Sequence, residues 1–257
     1  MRTITILLIY FPVLLLSVIS ISKDKFHPHN EALDNQTWPL KLGTAVVGLY
    51  STFWIIKSFW HSIPYLKTIR YNLFNVYLFA SSWNIIVLVL VYFFLRLIYK
   101  KSFLKVFCFK HSDFKFILKL CLALTIVNVF TIFFWNFEFI LGMKKTLMEL
   151  LKSMDGRTFV LYYLNAVTIG PFLEETLFRG LLYVPLMKKT GRPIALIITS
   201  IIWTEQHMHV LPGIGIFITG LVLAWLYDRR GSLLDPLIFH IFMNIWLLIY
   251  YVTGVGT

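Results

Sequence analysis

The stretch Pro171–Leu186, PFLEETLFRGLLYVPL, decides how this chain is interpreted, because it places three charged side chains inside an otherwise apolar segment. These are Glu174, Glu175 and Arg179. An acidic or basic residue at the centre of a membrane-spanning helix costs roughly 2.5–3.5 kcal/mol on insertion scales. Side chains kept at that cost usually serve a function, so the stretch indicates a functional site inside a membrane helix.

The composition also indicates a membrane protein. The 257 residues are 58% hydrophobic and 14% charged, whereas about 25% of the residues of a soluble domain are charged. The net charge of +12 does not indicate nucleic-acid binding, because the basic residues lie in short loops between apolar runs, where anionic lipid attracts them. We therefore predict contact with membrane lipid and no nucleic-acid partner. The two cysteines, Cys108 and Cys121, imply neither a metal site nor a disulfide framework.

The apolar runs predict an all-α, polytopic membrane helical bundle with about eight transmembrane helices, since uninterrupted runs do not fit the alternating pattern of a barrel. The N-terminal region, 1–157, would contain about four helices of unassigned role. The catalytic core, 158–257, would contain about four more helices. The first span could instead be a cleaved signal peptide, but no Ala-x-Ala-like site follows it, and we favour a retained helix. The predicted spans are 3–22, 42–63, 73–98, 116–141, 158–184, 193–209, 212–228 and 233–252.

The loops after spans three, five and seven are rich in lysine and arginine and fall on one side of the membrane if the spans alternate. We place that side in the cytoplasm by the positive-inside rule. Abundant Lys, Phe, Ile and Asn indicate an AT-rich bacterium. The predicted location is therefore a bacterial plasma membrane, crossed several times.

Two later spans carry polar side chains as well, His207 in the sixth, and His240 with Asn244 in the eighth. At 1.5 Å per residue, Glu174 and His207 lie roughly 21–23 Å from the nearest basic loops along the helix axis, Asn244 roughly 20 Å and His240 roughly 14 Å. Four polar groups from three helices thus reach comparable depth. This predicts one shared site within the bilayer.

Helical spacing indicates how these groups are arranged. Glu175 and Arg179 are four residues apart, so they share a helix face and can form an ion pair. Glu174 is rotated by about 100° from Glu175, so one carboxylate can hold the arginine while the other faces elsewhere. His240 and Asn244 are also four residues apart and point to the same side.

Three motifs in residues 158–252 resemble those of the CPBP intramembrane proteases, a family that includes CAAX prenyl endopeptidases and bacterial abortive-infection proteins. In the second motif a tryptophan stands where the family has phenylalanine. The motifs are Glu-Glu-x-x-x-Arg at Glu174, Glu175 and Arg179, Phe-x-x-x-His at Trp203 and His207, and His-x-x-x-Asn/Asp at His240 and Asn244.

The resemblance implies an intramembrane endopeptidase and a role for each matched residue. Glu174 would activate water as a general base, and His207 would share that water. His240 and Asn244 would bind the carbonyl oxygen as it becomes an oxyanion. The second glutamate and the arginine would form a structural ion pair.

The cofactor is left open between none and zinc. Glu174, His207 and His240 could ligate Zn²⁺, as in a metalloprotease, or the same residues could work without metal, as in a glutamate protease. We favour metal-free activation of water.

The run that contains the second motif, Trp203–His209, is more polar than the motif requires. Trp203, Glu205 and His209 are possible accessory residues, and Glu205 and His209 could join the site or bind metal. For Glu205 and His209 we favour the alternative in which they face the outer interface, because Leu211-Pro212-Gly213 follows at once.

The predicted substrate is a peptide or a membrane-anchored protein, and peptide processing, bacteriocin-leader export or bacteriocin immunity would be suitable settings. One alternative function is a non-catalytic immunity or scaffold protein of the same fold, with a membrane-protein partner. A transporter is the second alternative, since buried charges can line a substrate path. No inverted repeat is visible in the sequence to support it.

Overall fold

A computed structural model of the protein describes residues 39–48, 50, 73–97, 100, 114–134, 149, 151–207 and 213–253. The regular structure within these ranges is helical and contains no strand, which confirms the predicted all-α class. The helices are α1 (40–48), α2 (Leu73–Leu97), α3 (Phe114–Phe134), α4 (from Gly156 to Thr190), α5 (Arg192–Glu205), α6 (Gly213–Arg230) and α7 (Leu234–Thr253).

Predicted spans three to eight correspond in order to α2 to α7. The first span, 3–22, and most of the second, 42–63, lie outside the described residues, so the total of eight stays a prediction. Among the described helices, Leu73–Leu97 is long and apolar enough to cross a membrane, and Leu234–Ile249 is a shorter apolar stretch.

Helix α5 ends four residues earlier than the predicted span 193–209. Its last residue is Glu205, and the backbone N–H of His207 donates to the carbonyl of Thr204 at 2.8 Å. This i→i+3 bond closes a tight turn, the usual way in which a helix end satisfies its last carbonyl groups. His207 is therefore held by a turn at the end of α5 and not within the helix.

Helix α4 contains two π-helical stretches that the sequence analysis did not predict. They are Asn165–Ile169 and Thr176–Tyr183, and the α-helical turns of Gly170–Glu175 separate them. The N–H of Gly170 donates to the carbonyl of Asn165, five residues earlier. A Cβ at Gly170 would lie 2.8 Å from that same oxygen, so the position requires glycine. Short π-helical stretches are rare and often mark functional sites, and here they flank both glutamates.

The core lies around the middle of α4. Every residue from Thr176 to Tyr183 is buried, as expected for a helix surrounded by others. The outer face of α2, by contrast, is exposed: Phe79, Leu90 and Leu97 are each more than half exposed. Exposed apolar surface of this kind indicates contact with lipid or with another protein.

Candidate active site

Side chains from α4, α5 with its terminal turn, and α7 meet around one carboxylate oxygen of Glu174. The indole Nε1–H of Trp203 donates to Glu174 Oε2 at 2.6 Å. His207 Nε2 lies 3.6 Å from the same oxygen, and His240 Nε2 lies 4.0 Å from it. The structure thus brings the first glutamate and both histidines together.

The hydrogen bonds of the two imidazoles show that Nδ1 carries a proton in both. His207 Nδ1 lies 2.9 Å from the carbonyl oxygen of Trp203, which only accepts, so this nitrogen carries a proton. His240 Nδ1 lies 2.8 Å from Glu175 Oε1, a carboxylate oxygen, and carries a proton for the same reason. The atom that faces Glu174 is therefore Nε2 in both histidines.

Glu175 and Arg179 form the buried part of the site. Arg179 Nη1 donates to Glu175 Oε1 at 3.1 Å, and the two side chains are 1% and 0% exposed. Arg179 Nη2 donates to the carbonyl of Gly220 at 3.1 Å. Because Glu175 also accepts from His240, it connects the arginine of α4 to the imidazole of α7. The sequence indicated the contact within α4 but not the one to His240.

Asn244 lies one helical turn beyond His240 and is bonded to α4. Its Nδ2 donates to the carbonyl of Ala166 at 2.7 Å, within the first π-helical stretch. A side-chain amide nitrogen carries two N–H groups, so this bond uses one of them. Asn244 therefore anchors α7 to α4, in addition to any part in binding an oxyanion.

Trp203 forms one wall of the cluster and is only 3% exposed. Its ring centroid lies 4.4 Å from that of His207 and 5.5 Å from that of His240, the latter nearly perpendicular at 85°. The guanidinium of Arg179 lies 5.3 Å from its centroid. From the sequence, Trp203 was a partial motif match and a possible accessory residue. The replacement of phenylalanine was the signal that could have revealed the N–H donor.

Of the three accessory candidates, Trp203 contacts the cluster, whereas Glu205 and His209 do not enlarge it in the described structure. Glu205 is exposed at the last residue of α5, and His209 lies outside the described residues. In the described part of the chain, the candidate site therefore consists of the residues of the three motifs.

The cluster does not fit a zinc centre. Zinc binds nitrogen and oxygen at about 2.0–2.2 Å, which puts tetrahedral ligand atoms about 3.4 Å apart. His240 Nε2 is farther than this from Glu174 Oε2, at 4.0 Å, and the indole N–H already donates to that oxygen. No three His, Cys, Asp or Glu side chains of the described residues are arranged to hold a metal ion.

Comparison with protein families places the site in a known context. Residues 156–246 match the family model described as Rce1-like, a type II CAAX prenyl endopeptidase. The matched segment begins at the first residue of α4, ends within α7 and contains all three motifs, whereas α1 to α3 precede it. The match confirms the resemblance to the CPBP proteases, a membrane-embedded family. Comparisons with curated proteins and with solved structures gave no match.

Proposed function

We propose that this protein is an intramembrane endopeptidase, a multi-pass protein of a bacterial cell membrane that cleaves peptides or membrane-anchored proteins with an activated water. One observation carries the proposal. His207 Nε2 and His240 Nε2 approach the same oxygen of Glu174, at 3.6 and 4.0 Å. The family match of residues 156–246 supports the same reaction class.

Glu174 and His207 are suited to bind and activate the attacking water. One water can lie at an ordinary hydrogen-bond length of about 2.8 Å from both Glu174 Oε2 and His207 Nε2, because these atoms are only 3.6 Å apart. A carboxylate oxygen accepts hydrogen bonds, and His207 Nε2 accepts when Nδ1 carries the ring proton. The water would donate one O–H to each and direct its lone pair toward the substrate.

His240 is suited to stabilise negative charge. Glu174, Glu175 and Arg179 together carry a formal charge of −1 in a largely buried cluster. In the proposed mechanism His240 carries a proton on both ring nitrogens. The imidazolium would donate Nδ1–H to Glu175 and Nε2–H to the oxyanion. The second N–H of Asn244 is the other proposed donor.

The reaction then proceeds in two steps. Glu174 removes a proton from the water while the water oxygen forms a bond to the scissile carbonyl carbon. The carbonyl oxygen then becomes the oxyanion. When the tetrahedral intermediate collapses, the C–N bond breaks and Glu174 gives its proton to the leaving nitrogen. The products are a carboxylic acid and an amine. Apart from the water that is consumed, no step requires a group that the chain does not supply.

The apolar surface supports placing this site within the bilayer. Phe79, Leu90 and Leu97 are exposed on α2, the helix that meets the length and composition test for spanning a membrane. Helix α2 packs against α4 beside the candidate site, where Asn84 Nδ2 donates to Asn165 Oδ1 at 3.0 Å. A substrate reaching Glu174 would therefore come from a membrane-anchored segment, or from a peptide that enters between the helices.

The test is a cleavage assay in liposomes with a panel of membrane-tethered peptides. Wild type would be compared with Glu174→Ala and with Glu205→Gln, a control that alters an exposed carboxylate near the site, each with and without a strong chelator. We expect cleavage by wild type and by the Glu205 variant, none by Glu174→Ala, and no effect of chelator.

Other outcomes would replace the proposal. Loss of wild-type cleavage in chelator would require a metal-dependent mechanism. If wild type cleaved no peptide while Glu174→Ala kept a cellular immunity phenotype, a non-catalytic immunity or scaffold protein would be the better description. Solute uptake by liposomes that hold the wild type would favour a transporter.

A further inference from the structure

We propose that Trp203 is a positioning residue, whose indole N–H holds the carboxylate of Glu174 between His207 and His240. This inference rests on the proposed function, because it concerns the base that activates the water. It adds a role that phenylalanine, the residue of the family motif at this position, is unable to fill.

The hydrogen bond is short and buried. Trp203 Nε1 lies 2.6 Å from Glu174 Oε2, and Trp203 is 3% exposed. A hydrogen bond to a charged group is about twice as strong as one between neutral groups. The acceptor is the same oxygen that faces both histidine Nε2 atoms. Fixing this oxygen therefore fixes the geometry of the proposed water site.

The indole is itself well fixed. Its ring contacts His207 and His240 at centroid distances of 4.4 and 5.5 Å, and the guanidinium of Arg179 lies 5.3 Å from its centroid. Tryptophan has only two side-chain torsions, so little freedom is lost when it is packed in this way. Glutamate has more torsional freedom, and without a donor its carboxylate could rotate away from the histidines. The rigid ring is thus suited to hold the more flexible side chain.

Packing alone is the competing explanation, since a large aromatic residue also fills space between α4, α5 and α7. Two substitutions separate the explanations. Trp203→Phe removes the N–H and part of the ring. Replacement of Trp203 by β-(3-benzothienyl)alanine keeps the bicyclic shape and substitutes sulfur for the N–H. The matched control is Trp225→Phe in α6, where the indole packs against Phe116 and Arg229.

In the liposome assay we expect both Trp203 variants to lower kcat by about 10- to 100-fold, the size of one lost hydrogen bond to a charged group. KM should stay within about twofold of wild type, because the substrate does not contact the indole N–H, and Trp225→Phe should keep the wild-type kcat. Wild-type kcat in the benzothienylalanine variant would overturn the inference, since shape alone would then suffice.

A second readout does not depend on cleavage. A double-mutant cycle can be measured by thermal unfolding. Its four members are wild type, the benzothienylalanine variant, Glu174→Ala and the double variant. We expect the two changes to be coupled, with a smaller effect of the second change once the first is made. Additive effects would overturn the inference even if the protease is active. Coupling in a protein that cleaves nothing would also overturn it, because the bond would then hold a carboxylate without a catalytic role.

Discussion

The imidazole of His240 is hydrogen-bonded to Glu175, with 2.8 Å between His240 Nδ1 and Glu175 Oε1. Two adjacent glutamates therefore have separate roles in the proposed mechanism. Glu174 faces both histidine Nε2 atoms, whereas Glu175 connects His240 to Arg179 from a fully buried position. Neutralising each glutamate in turn should affect different properties of the protein.

Glu174→Gln should abolish most activity with little effect on folding. The amide is unable to remove a proton from water, and a general base contributes about 10²–10⁴-fold to a rate, so kcat should fall by about that factor. The amide oxygen can still accept the Trp203 N–H, so the thermal unfolding temperature should stay near that of wild type. Cleavage rates and thermal unfolding measured on the same preparation test both parts, and a fully active variant would contradict the assignment.

Glu175→Gln should chiefly destabilise the fold. It removes the negative charge next to Arg179, whose side chain is 1% exposed. Loss of one partner of a buried ion pair costs about 3–5 kcal/mol of unfolding free energy. Denaturant unfolding in detergent measures this loss, with Glu174→Gln as the matched control that changes the same chemical group. Equal stability of the two variants would show that Glu175 is not the main partner of the arginine.

Asn244→Ala should lower both activity and stability. Loss of an oxyanion donor reduces kcat by about 10²–10³-fold, and loss of the bond to Ala166 costs about 1 kcal/mol. The control is Asn165→Ala, which removes a hydrogen bond between the adjacent residue of α4 and Asn84 of α2. Steady-state kinetics and thermal unfolding on both variants distinguish the roles. A similar kcat in the two variants would leave Asn244 with the anchoring role alone.

Two glycines of helix α1 provide a test of whether the N-terminal part of the chain packs tightly against residues 156–246, the segment that matches the family model. A Cβ at Gly43 would clash with the carbonyl oxygen of Leu181 in α4, whereas a Cβ at Gly48 would meet nothing within 4 Å. Gly43→Ala should therefore lower the unfolding free energy by about 1–3 kcal/mol through overpacking. Gly48→Ala should raise it by up to about 1 kcal/mol through helix propensity.

Thermal unfolding of the two glycine variants in detergent checks this pair. Equal changes in the unfolding temperature of the two variants would show that α1 does not lie against Leu181. A lower unfolding temperature in the Gly43 variant alone would show that residues before the matched segment stabilise α4, the helix that carries both glutamates.

Local spacing in the sequence was sufficient to predict the contacts within one helix. Residues four apart meet in an α-helix, and Glu175 with Arg179 do so here. The helical class followed from the apolar runs for a similar reason, since backbone in lipid must satisfy its own hydrogen bonds. The order and approximate bounds of α2 to α7 could be read in the same way.

Contacts between helices could not be read from spacing. The bonds of His240 to Glu175 and of Trp203 to Glu174 join residues 65 and 29 positions apart, and depend on how α4, α5 and α7 pack. The π-helical stretches were missed because hydrophobic periodicity assumes 3.6 residues per turn throughout. The end of α5 was missed because the apolar pattern does not reveal where the backbone tightens into a turn.

The two wide stretches of α4 affect how the protein would respond to a change in the number of residues in this helix. A π-helical turn holds about one residue more than an α-helical turn. Removing one residue from Thr176–Tyr183 with a return to α-helical bonding would therefore keep the two ends of α4 nearly in register. Glu175 and Arg179 would then be three residues apart, a spacing at which two side chains still share a helix face. This buried segment would thus tolerate a single-residue deletion better than an ordinary buried α-helix, although it contains no loop.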